Sequence, residues 1–252
     1  MACAPSPSVN EDLGEARQAA LSENALSENA LSENALSENA LSENALSENA
    51  LVGSDLAQNP LVTAALEDPK ARELYKYIVS CALPADAHID QVVNGVTYGF
   101  EGGLGLAPEW GEIGGSCDAE CRSWVSACVI ARLDYLGQPL QISLRGDHEA
   151  LATTKQERKK FDHVEATYYG DIFTQPMQVY GCLPPGKIQI PRVCGPSIND
   201  CVVDVQGFCP LLCDPRESDG AYPGCREAPT FKKNGGIKLG TKHVGSITVF
   251  LQ

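Results

Sequence analysis

Eleven cysteines are the residues with most chemistry to offer in this 252-residue sequence. Three uses compete for them: metal ligation, thiol–disulfide exchange and structural cross-linking. Metal ligation needs short paired spacings, commonly completed by histidine. The close pairs are Cys117/Cys121 and Cys209/Cys213, and no histidine stands at a finger-like spacing from either. The exchange motif Cys-x-x-Cys is absent. Cross-linking fits better, because Cys182, Cys194, Cys201, Cys209, Cys213 and Cys225 crowd a segment rich in proline and glycine. Such a segment makes little core of its own and needs staples. With Cys81, Cys117, Cys121 and Cys128 these residues make ten, a number that can pair completely. That usage implies an oxidising, extracytoplasmic setting, extracellular or at the cell surface. Connectivity stays open, since ten cysteines allow roughly 945 pairings. The odd cysteine, Cys3, directly precedes a Pro/Ser-rich tail and sits where bacterial lipoproteins are acylated, so it reads either as a lipidation site or as a spare thiol. A single acyl chain would tether the protein only marginally. With no run of about 18 apolar residues, a spanning helix is not expected.

Other catalytic signals are thin. The histidines are His88, His148, His163 and His243, and none belongs to a zinc-binding H-E-x-x-H. There is no G-x-S-x-G elbow, no P-loop and no dinucleotide fingerprint. The most polar cluster after an expected strand is Arg145-Gly146-Asp147-His148-Glu149, which reads as a solvated turn; its first three residues also spell an adhesion tripeptide. Trp110 and Trp124 read as core. The sequence therefore predicts no catalytic residue, no metal and no cofactor.

Formal charge is −14, from 33 acidic and 19 basic residues, which disfavours nucleic acid and anionic membrane as partners. Residues 1–51 carry −8 of it, because Ala20–Leu51 repeats Ala-Leu-Ser-Glu-Asn six times and then reads Ala50-Leu51. In a helix each five-residue step turns a net of about 140°, so the leucines would spiral without forming a stripe. A disordered acidic tether is a second reading. The third resembles pentapeptide-repeat β-solenoids, with Leu21, Leu26, Leu31, Leu36, Leu41, Leu46 and Leu51 inward. Asn24, Asn29, Asn34, Asn39, Asn44 and Asn49 then stack beside them, where those solenoids place a small residue. Thirty-two residues fall short of two coils of about 20 residues, so such a segment would assemble between chains. Its regularly spaced glutamates would repel, and assembly should strengthen with salt, divalent cations or mild acid.

These features divide the chain into a tail (1–19), the repeat segment (20–56) and a disulfide-stapled α+β body (57–252) with a Cys-rich subregion at 182–225. Asp68-Pro69 opens a helix that ends before Pro84, with Ala71, Leu74, Tyr75, Ile78, Val79 and Ala82 at helical spacing. Asn94-Gly95 joins Ile89–Val93 and Val96–Phe100 as a hairpin, and Gly102–Gly115 reads as a loop. A second helix is expected over Cys117–Leu136, with Trp124, Cys128, Val129, Leu133 and Leu136 on one face and Gly137 closing it. Strands are expected at 138–145, 166–173, 178–180, 202–205 and 246–251.

The repeats lead into Tyr77-Ile-Val-Ser-Cys81-Ala-Leu-Pro84. Three more blocks follow: Gly103-Leu-Gly-Leu-Ala-Pro-Glu-Trp110, Cys121-Arg-Ser-Trp-Val-Ser-Ala-Cys128-Val-Ile-Ala-Arg132 and Ile142-Ser-Leu-Arg-Gly146. Together they resemble a family of uncharacterised secreted proteins or lipoproteins of myxobacterial type, over most of residues 20–252. The resemblance implies an envelope or extracellular location and carries over no catalytic residues. The expected function is a structural subunit of an extracellular filament or surface assembly, whose partner is itself and, beyond that, other envelope proteins. A tethered binding module on a flexible stalk is the alternative, and a secreted hydrolase comes third.

Overall fold

The β-branched tail Ser246–Leu251 lies at the centre of the fold. The computed structural model describes residues 21–24, 26–27, 56–57, 60–135, 140–186, 191–197 and 201–252. Within it a six-stranded sheet runs in the order β1 (Leu21–Asn24), β6 (Leu140–Arg145), β12 (Ser246–Leu251), β7 (His163–Asp171), β8 (Gln178–Leu183), β9 (Asp204–Phe208). All neighbours pair antiparallel except β8 with β9. The chain is thus a mixed α+β protein rich in disulfides, as its sequence suggests.

Both faces of this sheet are covered, which is why β12 is buried from Ser246 to Phe250 and alternates only partly. On one face Ile142, Leu144, Ala166, Tyr168, Ile247 and Val249 form the main core with the helices. On the other face the sheet's hydroxyls hold the Cys-rich segment by its backbone. Ser246 Oγ accepts from the Cys225 amide at 3.0 Å, and Thr248 Oγ1 accepts from the Tyr222 amide at 2.9 Å. The Tyr169 hydroxyl donates to the Arg226 carbonyl at 3.0 Å. Buried polar side chains are tolerable here because they find partners.

Two helices make the first layer. Following a short helix α1 (Pro60–Ala65), α2 (Pro69–Ala82) starts at Asp68, whose carboxylate accepts from the Lys70 amide at 2.9 Å. Its last carbonyls are satisfied by the glycine-rich stretch. Leu104, Leu106 and Ala107 donate their amides to Ser80, Cys81 and Ala82 at 2.8–3.0 Å. A Cβ at Gly103 would stand 2.6 Å from the Ser80 carbonyl oxygen, so the chain can approach this closely only without one. The hairpin β3 (His88–Val93) and β4 (Val96–Glu101) turns through Asn94 and Gly95, both at positive φ, as the Asn-Gly pair predicts.

Helix α3 (Ala119–Ala131) is shorter than the expected Cys117–Leu136. The Arg192 guanidinium takes the carbonyls of Ala131 and Leu133 at the helix end, where its charge also suits the helix dipole. Leu133–Asp134 (β5) then continues extended. Arg192 is itself fixed by Glu165, with Nε 3.1 Å from the carboxylate and both side chains almost fully buried. Residues Ser123–Ala131 are buried all round, not along one stripe, because α3 lies between the sheet and α2. Strand ends move too: β7 begins at His163, β8 runs on to Leu183 and β9 falls at 204–208.

All ten body cysteines pair, as Cys81–Cys128, Cys117–Cys121, Cys182–Cys209, Cys194–Cys201 and Cys213–Cys225. The first joins α2 to α3 across 47 residues; the second closes only four. Loop-closure entropy assigns about 4 kcal/mol to the longer loop and about 2 kcal/mol to the shorter. Denaturant unfolding of Cys81→Ala/Cys128→Ala is therefore expected to show about twice the loss caused by Cys117→Ala/Cys121→Ala. Equal losses would contradict the entropic account.

Candidate functional site

Of the residues expected to drive assembly, Leu21 and Asn24 meet the body at its sheet edge. In β6, Ile142 and Leu144 point into the helical core, and Ser143 and Arg145 point to the opposite face. Ser143 Oγ donates to Glu157 at 2.8 Å, and Glu157 closes a capping box with Thr154 at the start of α4 (Lys155–Lys160). With both faces filled, what β6 has to offer is its backbone. An open strand of this kind invites a further strand. The first pentad supplies one: β1 pairs antiparallel with β6, Leu21 opposite Ser143 and Asn24 opposite Leu140.

The second pentad does not continue that strand. Leu26–Ser27 (β2) pairs parallel with Leu133–Asp134 instead. A strand alternates faces every residue, so leucines five apart fall on opposite faces of any unbroken strand. A pentad repeat must therefore change direction to present successive leucines alike, and the pairing changes between Asn24 and Leu26. Among the described residues of the repeat no solenoid coil closes. Leu31, Leu36, Leu41, Leu46, Leu51, Asn29, Asn34, Asn39, Asn44 and Asn49 lie outside the described residues, as does Cys3. Leu56, taken from sequence as the end of the repeat segment, is fully buried, and its carbonyl accepts from the Tyr75 hydroxyl at 2.6 Å.

The segment Arg145–Glu149 begins on the last residue of β6 and is not the solvated turn expected, because Arg145 is buried; the structure splits it between two clefts. Arg145 is only 3% exposed, so the adhesion tripeptide is not available as a surface motif. Its guanidinium lies 3.5 Å over the Phe250 ring and donates to Ser143 Oγ and to the carbonyls of Asp219 and Phe161. Burial pulls its pKa down. Beside it Arg158 and Arg216 line a cleft of about 450 Å³, shared with Asp162, Glu217 and Asp219. Gly146 is forced by close approach, as a Cβ would meet the Ser246 carbonyl oxygen at 2.8 Å.

His148 lines a second cleft, of about 410 Å³, with Trp110, Trp124, Glu109, Asp118 and Glu120. The indoles are core residues, as expected, whose edges also form its wall. His148 Nδ1 accepts from the Ala150 amide at 3.1 Å, which leaves Nε2 as the donor of the neutral ring. Asp118 is already spent as the cap of α3. No described cysteine is a free thiol, so neither cleft holds a Cys nucleophile. The sulfurs of Cys182, Cys213 and Cys225 converge within 4.8 Å, but as disulfides they offer no thiolate to a metal.

His243 is the buried histidine, packed against Tyr169 and Tyr180 with Nε2 3.7 Å from Glu227. Sequence gave no hint of this cluster, because its members come from four separate segments. The edge position of β6 was equally invisible, since a strand pattern does not say which neighbours it will have. No protein-family model, curated protein or solved structure matches this chain.

Burial holds His243 below the ordinary imidazole range, with Glu227 opposing. A lowered histidine contributes stability that is full above the unfolded value near 6.5 and falls as pH drops below it. Thermal melts from pH 7 to pH 5 are expected to lose less stability in His243→Phe than in the parent. Identical pH slopes would contradict this.

Proposed function

We propose that this chain is a non-enzymatic structural subunit of an extracellular filament or surface assembly, which self-associates through its pentad repeat. One observation carries the reading: the first pentad adds as a strand to the edge of β6 that the rest of the body leaves uncovered. All six pentads are identical, so a pentad of a second copy fits that edge equally well. Each body offers the β6 edge, and each chain carries six candidate strands. Donating a strand to a neighbour while accepting one from another is a head-to-tail contact. Such contacts grow into open filaments when the rotation between subunits does not close. Backbone hydrogen bonds give the contact its strength, as in other strand-addition modes.

Strand exchange modifies the stacking expected from the solenoid resemblance without abandoning the repeat as the contact. Stacked pentads remain the finer proposal for residues beyond Ser27. Exchange competes with a chain's own pentad, whose effective concentration is of millimolar order. Assembly should therefore rise steeply with protein concentration and with screening of the glutamates.

Sedimentation velocity of the intact chain and of a chain lacking Ala20–Leu51 tests this. The intact chain is expected to form oligomers that grow with concentration and salt, and a free (Ala-Leu-Ser-Glu-Asn)2 peptide should shorten them. The deleted chain should stay monomeric and bind the same peptide. Monomers in both cases, with no peptide binding, would favour the stalk-borne binding module.

A further inference from the structure

The hairpin β10 (Thr230–Phe231) and β11 (Ile237–Lys238) belongs to no larger sheet. Its turn is closed by Lys232 and Gly236, whose amide–carbonyl distance is 2.7 Å. Around it, all of Pro229–Leu239 is exposed except the half-buried Gly236. Phe231 and Ile237 are direct cross-strand partners, 79% and 61% exposed. Leu239, two residues on from Ile237, falls on the same face and is 65% exposed. Three large apolar side chains thus share one face of a projecting hairpin, where a two-stranded ribbon in water is marginal by itself.

Its charge is equally one-sided. From Ala228 to Gln252 there are four lysines and no acidic residue, in a chain of net −14. Lys242 is held by Asp214 at 2.5 Å, but Lys232, Lys233 and Lys238 make no ion pair among the described residues. Lys238 stands opposite Thr230, on the ribbon face away from Phe231 and Ile237. Apolar groups on one face with cationic stems beside them suit a lipid–water interface, where aliphatic stems lie along the acyl boundary and ammonium groups reach the headgroups.

We infer that this hairpin is a membrane-docking element that takes a bilayer surface bearing anionic headgroups. Three apolar side chains are far short of the roughly 20–30 residues a side in a stable protein interface. A bilayer demands no matching shape and rewards both features together. The chain's overall negative charge is not an obstacle, because fields beyond about 8 Å are screened at physiological salt, and most of the excess sits in residues 1–51.

Vesicle flotation of the full, unlipidated chain tests the inference, with phosphatidylcholine alone compared with phosphatidylcholine plus phosphatidylglycerol. The parent is expected to float only with the anionic vesicles and to release in high salt. Lys232→Gln/Lys233→Gln/Lys238→Gln should weaken partitioning on the order of 100-fold. Phe231→Ser/Ile237→Ser should weaken it tenfold or more. Phe231→Trp should blue-shift on anionic vesicles. These surface changes leave every disulfide in place, and unchanged melting of each variant guards against misfolding. Parent protein that does not float, or variants that float as well as the parent, would overturn the inference. So would a Phe231→Trp shift produced by the pentad peptide and not by vesicles, which would make the acidic repeat the occupant. A failed flotation leaves the sedimentation result for the repeat untouched, so the two proposals fall separately.

Discussion

The backbone edge of β6 is the constraint on which the account turns. Every buried strand needs partners for its amides and carbonyls, and an uncovered edge is a template for another chain. Ile142 and Leu144 commit one face of β6 to the helical core, while Ser143 and Arg145 commit the other to Glu157, Phe161 and Phe250. What is left is a backbone edge, and Leu-Ser-Glu-Asn pairs with it as an antiparallel strand. The odd period of the repeat prevents that strand from running on with its leucines in register. Among the described residues the repeat accordingly makes two short strands, Leu21–Asn24 and Leu26–Ser27, on different partners.

A rigid body is needed behind such an edge, and the disulfides together with polar anchors provide it. Cys81–Cys128 locks the helical layer, whereas Cys182–Cys209 and Cys213–Cys225 lock the segment covering the opposite face. The sheet's hydroxyls recruit that segment through its backbone amides, so a Pro/Gly-rich stretch with little apolar content can still form a layer. The buried Arg192–Glu165 pair ends α3 and ties in the loop before Cys194. Breaking one partner of such a pair would leave an uncompensated buried charge, which makes these residues structural before anything else.

Local signals in the sequence translated well. The Asp68 cap, the Asn94-Gly95 turn and the Ser246–Leu251 strand each depend on residues next to one another, and each formed where those residues said. The capping box Thr154–Glu157 and the Asn234-Gly235-Gly236 turn are likewise written in adjacent residues. Features set by distant residues were not legible. The end of α3 depends on Arg192, sixty residues on, and the choice among disulfide pairings depends on the finished fold. The candidate site belongs to this second class, because β6 becomes an edge only once β12 has taken its other side.

Hydrogen exchange at Leu140–Arg145 tests the central claim most directly, comparing the intact chain with one lacking Ala20–Leu51. The amides of β6 that point away from β12 should be protected in the intact chain and exchange much faster in the deleted one, while those bonded to β12 stay protected in both. Fast exchange of the outward amides in both chains would mean that no pentad occupies the edge, and the account of the repeat as a strand donor would be wrong.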